Sequence, residues 1–133
     1  MQKACQKIKT MQTEWGYLVP IAVNVSPIQF LRGNLIETVQ RVLRQERVPP
    51  HMLTLEVTET AHFKDEAMFT KTLDQLKRLG VCIAIDDFGI GYSNMAYLKN
   101  YPIDELKIDK AFVCDLEQSV TNGNILLALV NLG

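Results

Sequence analysis

The chain has no apolar run approaching the roughly 18 residues that a bilayer-spanning helix needs. Its N-terminal stretch, MQKACQKIK, is too polar for a signal peptide. Cysteine is scarce: Cys5, Cys82 and Cys114 are odd in number, far apart and form no CxxC pair. That pattern argues against a zinc knuckle and for three reduced thiols in a cytoplasmic protein. His51 and His62 have no further histidine or paired cysteine to join them, and read as surface or loop residues. Charge of one sign is also lacking. The net charge is −1 with acids and bases interspersed, which suits neither a nucleic-acid polymer nor an anionic membrane surface. Linkers and low-complexity tracts are missing too, so residues 1–133 read as a single domain.

Apolar residues are plentiful at 47%, enough for a packed core. They alternate between two periods. Ala4, Ile8, Met11 and Trp15 fall at helical spacing. LVPIAVNV (18–25) is continuously apolar up to its asparagine and predicts a strand buried on both faces. Leu35, Val39, Val42 and Leu43 predict a second helix, stopped by Pro49 and Pro50. LTLEVTE (53–59) reads as the next strand. Asp65 is placed to cap a third helix carrying Phe69, Leu73, Leu76 and Leu79, with Gly80 after its end. VCIAI (81–85) predicts a third strand, ELKIDKAFV (105–113) contains a fourth, and helices are expected over 94–100 and 125–132. The expected class is α/β, about four parallel strands with helical crossovers, as in part of a (β/α) barrel or in a doubly wound sheet.

Polar residues collect where these strands finish. Asn24 closes the first, Glu56 and Glu59 lie late in the second, Asp86 and Asp87 follow the third, and Lys107 and Asp109 belong to the fourth. The carboxyl ends of parallel strands are where such folds keep their sites. Amide and carboxylate oxygens suit Mg²⁺ or Mn²⁺. Adjacent carboxylates repel unless a cation lies beside them. Two such cations would activate water and clamp the oxygens of a phosphodiester, with Lys107 adding positive charge. Gly89 and Gly91 would let the following loop turn sharply. Each residue also has a plainer reading. Asn24 can satisfy a turn, Glu56 and Glu59 can be solvated charges, Asp-Asp before glycine can be a turn, and Lys107 can be a surface lysine. Their occurrence on four consecutive strands favours the site.

VNVSPIQF, LEVTET, IDDFGIGYSNMAYL and LKIDKAFV resemble, in order and spacing, four signature segments of the EAL domain, a family of cyclic-di-GMP phosphodiesterases built on a modified (β/α) barrel. The resemblance implies Asn24, Glu56 and Asp86 as metal ligands, with Asp87 serving a second metal. It implies Lys107 as the residue that positions the attacking water. Glu59, with Ser93, would hold the loop that contains Gly89 and Gly91. It also implies a two-metal Mg²⁺ or Mn²⁺ cofactor and cyclic-di-GMP as ligand.

The tripeptide that names the family, Glu-Ala-Leu, is absent; Glu66-Ala67-Met68 looks similar but follows LEVTE on a predicted helix and cannot replace it. The later strands of the family are not in the sequence either. A closed eight-stranded barrel takes about 250 residues. The expectation is therefore a partial domain with little or no turnover and open sheet edges that favour a homo-oligomer. The alternative is a non-catalytic cyclic-di-GMP-binding or self-associating regulatory module.

Overall fold

The computed structural model describes residues 1–31, 34–58, 65–88 and 101–114. The helices expected over 94–100 and 125–132 lie outside these residues, as do Glu59, Gly89, Gly91, Ser93 and His62. The order of elements is α1 (Gln2–Trp15), β1 (Ile21–Val25), α2 (Pro27–Leu31), α3 (Leu35–Glu46), a 3₁₀ turn (Pro50–Met52), β2 (Leu53–Thr58), α4 (Glu66–Arg78), β3 (Cys82–Phe88), β4 (Glu105–Ile108) and α5 (Lys110–Cys114). No helix among the described residues is long and apolar enough to cross a membrane.

Local chemistry accounts for the boundaries. Helix α1 stops at Gly16, whose φ of 78° is left-handed and whose N–H closes onto the Gln12 carbonyl at 2.9 Å. Helix α3 buries Leu35, Val39, Val42 and Leu43 along one stripe, as their spacing predicts. It ends at Glu46, before the prolines, because Arg47 turns left-handed at φ 53°. Asp65 caps α4 as expected, its Oδ1 accepting the Met68 N–H at 2.9 Å.

Helix α2 is not among the elements that periodicity predicts. At five residues it is too short to show a repeat. Its signature is a capping box instead: Ser26 N–H donates to Gln29 Oε1 at 3.2 Å, and Gln29 N–H to Ser26 Oγ at 3.3 Å, with Pro27 opening the turn.

The strands form one parallel sheet in the order β1-β2-β3-β4. Side chains alternate between its faces. Leu53, Leu55 and Val57 of β2 and Ile83 and Ile85 of β3 join Cys5 and Ile8 of α1, Val39 and Val42 of α3, and Phe69, Leu73 and Leu76 of α4 in one core. Phe30 and Tyr101 extend it by ring contacts with Phe69 at 4.9 and 5.2 Å.

The expectation that 18–25 is buried on both faces is corrected. Only Ile21–Val25 is strand, and Ala22 and Asn24 are exposed. As the first strand of the described sheet, β1 packs its helix-facing residues and leaves the alternate ones to solvent. Among the described residues the sheet has four strands and does not close.

Candidate active site

The face of the sheet away from this core carries the polar residues. Asn24 is the register partner of Glu56, Glu56 of Ala84, and Ala84 of Glu105. One row therefore crosses all four strands. Two residues further on, alternation returns Thr58, Asp86 and Lys107 to the same face, with Asp86 paired to Thr58. Four of the sequence-predicted residues, Asn24, Glu56, Asp86 and Lys107, thus share a face. The small, fully buried Ala84 lies between Glu56 and β4. Over it Lys107 Nζ reaches across β3 and donates to Glu56 Oε1.

This ion pair is asymmetric. The Glu56 residue is only 7% exposed, whereas the Lys107 side chain is 35% exposed. A carboxylate so far from water requires a compensating charge. The Glu56 hydrogen bond raises the Lys107 ammonium above its ordinary pKa. Desolvation opposes that rise, and the charges of Glu56, Asp86 and Glu105 add to it.

The adjacent aspartates pose a problem that the backbone solves. Strict alternation would put one of any neighbouring pair into the apolar core. Strand β3 does not stop at Ile85, as predicted, but runs to Phe88. Between Ile85, paired with Leu106, and Phe88, paired with Ile108, the register shifts by one residue. Asp87 sits in this bulge with φ 56°, a left-handed conformation that aspartate tolerates better than most residues. The extra residue leaves Asp87 exposed and returns Phe88 to the core at 0% exposure. Both carboxylates therefore stay out of the core, at the cost of a strained backbone beside the polar rim.

Asn24, Glu56 and Asp86 offer one amide and two carboxylate oxygens from three adjacent strands, a donor set that fits a hard divalent cation. Among the described residues, no three histidine, cysteine, aspartate or glutamate side chains gather closely enough to hold a metal. The rim already attracts positive charge, since Lys107 rests on Glu56. A cavity of about 310 Å³ opens beside β1, lined by Asn24, Gln29, Asn34 and Thr38 among others, but Glu56 and Lys107 are not in its wall.

Asp104 was missed by sequence reasoning. Its carboxylate pairs with Lys77 Nζ at 2.6 Å and accepts the Ile83 N–H at 2.8 Å, while its own N–H donates to the Ile83 carbonyl at 2.9 Å. It staples α4, β3 and the start of β4.

Known proteins bear on the reading. The chain is 37% identical, over its full length, to a bifunctional diguanylate cyclase/cyclic di-GMP phosphodiesterase, MucR, of Pseudomonas aeruginosa. It is 33% identical over 98% of its length to the cyclic di-GMP phosphodiesterase NbdA of the same organism. It spans only 19% and 17% of those relatives. Among solved structures, the MucR phosphodiesterase in complex with c-di-GMP superposes with a TM-score of 0.85 at 38% identity, covering 99% of this chain and 53% of that one. The EAL domain of Mycobacterium smegmatis DcpA gives 0.83 at 33% identity, covering 98% and 59%. The EAL domain family model matches residues 1–133, and with this sheet and these signature segments the chain belongs to the EAL domain family.

Proposed function

We propose that residues 1–133 form a single, partial EAL domain that works in the hydrolysis of cyclic-di-GMP to the linear dinucleotide. The observation that carries this reading is the polar row on one face of a parallel sheet, with Glu56 and Lys107 paired across β3. The phosphodiesterase names of relatives matched along nearly the whole chain support it. Asn24, Glu56 and Asp86 would hold one Mg²⁺ or Mn²⁺ ion, and Asp87 would serve a second. Bound there, the ions would supply Lewis-acid polarisation of the phosphodiester and a water acidic enough to attack it. Lys107 orients that water and stabilises the charge that develops. Glu59 and Ser93 support the loop of Gly89 and Gly91.

Turnover by this chain alone is expected to be weak, since it matches 53% and 59% of the solved relatives. Strands β1 and β4 each have one partner in the described sheet. Open edges of that kind favour a homo-oligomer. Light scattering at micromolar concentration checks this, and a stable monomer refutes it.

The test of the activity is chromatography of cyclic-di-GMP incubated with the chain in Mn²⁺ or in EDTA. Slow, Mn²⁺-dependent appearance of the linear dinucleotide, lost in Glu56→Gln, is expected. A chain that neither cleaves cyclic-di-GMP nor binds it in a calorimeter overturns the reading.

A further inference from the structure

We propose that Lys107 is a tethered stand-in for a divalent cation: its ammonium rests on the Glu56 carboxylate, and it must withdraw before that carboxylate can take a metal ion. The inference deepens the phosphodiesterase reading and rests on its assignment of Glu56 as a ligand. It says something further about the same residue, namely that Lys107 opposes metal entry before it assists the reaction.

Three observations carry it. The Glu56 carboxylate is nearly out of water, and the positive charge beside it comes from β4, two strands away. A lysine bridging that distance lies over Ala84, on the face that Asn24 and Asp86 also share. Its ammonium therefore rests on a carboxylate of the face that carries the other oxygens suited to a cation. The Lys107 side chain is also 35% exposed, so it is only partly enclosed. Its flexible four-carbon stem gives it somewhere to go. An ammonium and a divalent ion repel strongly at contact distance, so the two cannot both rest on Glu56 Oε1. The chain thus keeps a buried carboxylate compensated without metal, and gives up cation affinity in doing so. The same displacement would release the ammonium towards the water it is to orient.

The experiment uses the whole chain and Lys107→Met, with Lys107→Gln as a second variant that keeps a hydrogen-bond donor without the charge. Melting is followed in EDTA, and Mn²⁺ binding is read from loss of the free-ion paramagnetic resonance signal. Both variants are expected to melt lower than the parent in EDTA and to bind Mn²⁺ about tenfold more tightly or better, since a competing charge is gone. A folded variant that binds Mn²⁺ no more tightly than the parent overturns the proposal. Should neither variant fold, the parent decides. The side-chain nitrogen resonance of Lys107 is expected to shift as Mg²⁺ is added, and a resonance unmoved at saturation overturns the proposal. Tighter Mn²⁺ binding by the variants, beside a parent chain that neither cleaves nor binds cyclic-di-GMP, sinks the phosphodiesterase reading and leaves this one standing. Cleavage with unchanged affinity does the reverse.

Discussion

Along β2 the side chains change sides at every residue. Leu53, Leu55 and Val57 enter the core with no exposed surface at all, while Thr54, Glu56 and Thr58 look the other way. The helix-facing side is built from shape. Fully buried aliphatic residues of β2 and β3 meet α1, α3 and α4, and an error of one methylene is felt there. The opposite side is built from charge. Asn24, Glu56, Asp86 and Lys107 are tied to it by register and by one ion pair. The same backbone serves both because alternation separates them, and the bulge at Asp87 repairs the one place where the sequence breaks it. Substitutions on the first side should cost stability, and those at exposed positions of the second, chemistry.

The sharpest way to break this division is to exchange the effects. Phe69 is 1% exposed and touches the rings of Phe30 and Tyr101. Phe69→Ala is expected to lower unfolding free energy by about 3–5 kcal/mol in a urea titration. Asn24→Ala, at an exposed position of the other face, is expected to stay within about 0.5 kcal/mol of the parent. Its cleavage of cyclic-di-GMP should still fall by about tenfold or more, the scale of one lost electrostatic contact. An Asn24→Ala chain that unfolds early and cleaves normally would abolish the distinction.

Much of the helix-facing side was legible, because cores write themselves as period. The stripes Leu35–Val39–Val42–Leu43 and Phe69–Leu73–Leu76 predict α3 and α4, and both are observed. The polar side was legible in its residues but not in its arrangement. Glu56 and Lys107 were picked out singly as strand-end residues. Their pairing depends on register across β3 and on Ala84 leaving room, neither of which a linear pattern encodes. The bulge was hidden for a related reason: Asp-Asp before glycine reads as a turn, and only the pairing of Phe88 with Ile108 keeps it in the strand. Asp104 lacks any period, so its three contacts became visible only in three dimensions.

The junction at which the two sides are held together gives the intermediate effects. Asp104→Ala removes an ion pair to α4 and the acceptor of the Ile83 N–H, and is expected to cost about 1–3 kcal/mol, mainly from that orphaned donor. Asp65→Ala removes only the α4 cap, with an expected loss of about 1 kcal/mol. Salt divides the two, since a part of the Asp104 effect is an exposed ion pair that high ionic strength screens.

The smallest effect compares two thiols, one on each side of the sheet. Cys5 belongs to the helix-side core at 0% exposure. Cys82 begins β3 on the polar face, half-buried, with its Sγ 3.7 Å from the His51 carbonyl oxygen. Burial pushes the Cys5 thiol above its ordinary pKa, Glu46 adding to the rise and the N-terminal ammonium opposing it. The sign follows. Below the unfolded thiol value of roughly 8.5, both states hold the proton and the contribution of Cys5 to stability is fully present. As pH climbs past it, the unfolded chain ionises while the folded one does not, and stability drains away until the folded thiol ionises too. The parent should therefore lose stability relative to Cys5→Ala as pH rises from neutral through the unfolded thiol value. In native buffer, a disulfide reagent should label exposed Cys114 first, Cys82 next and Cys5 last, at a rate set by unfolding. Labelling of Cys5 as fast as Cys82 would mean that the helix-facing side opens as readily as the polar one, and the contrast between them would fail.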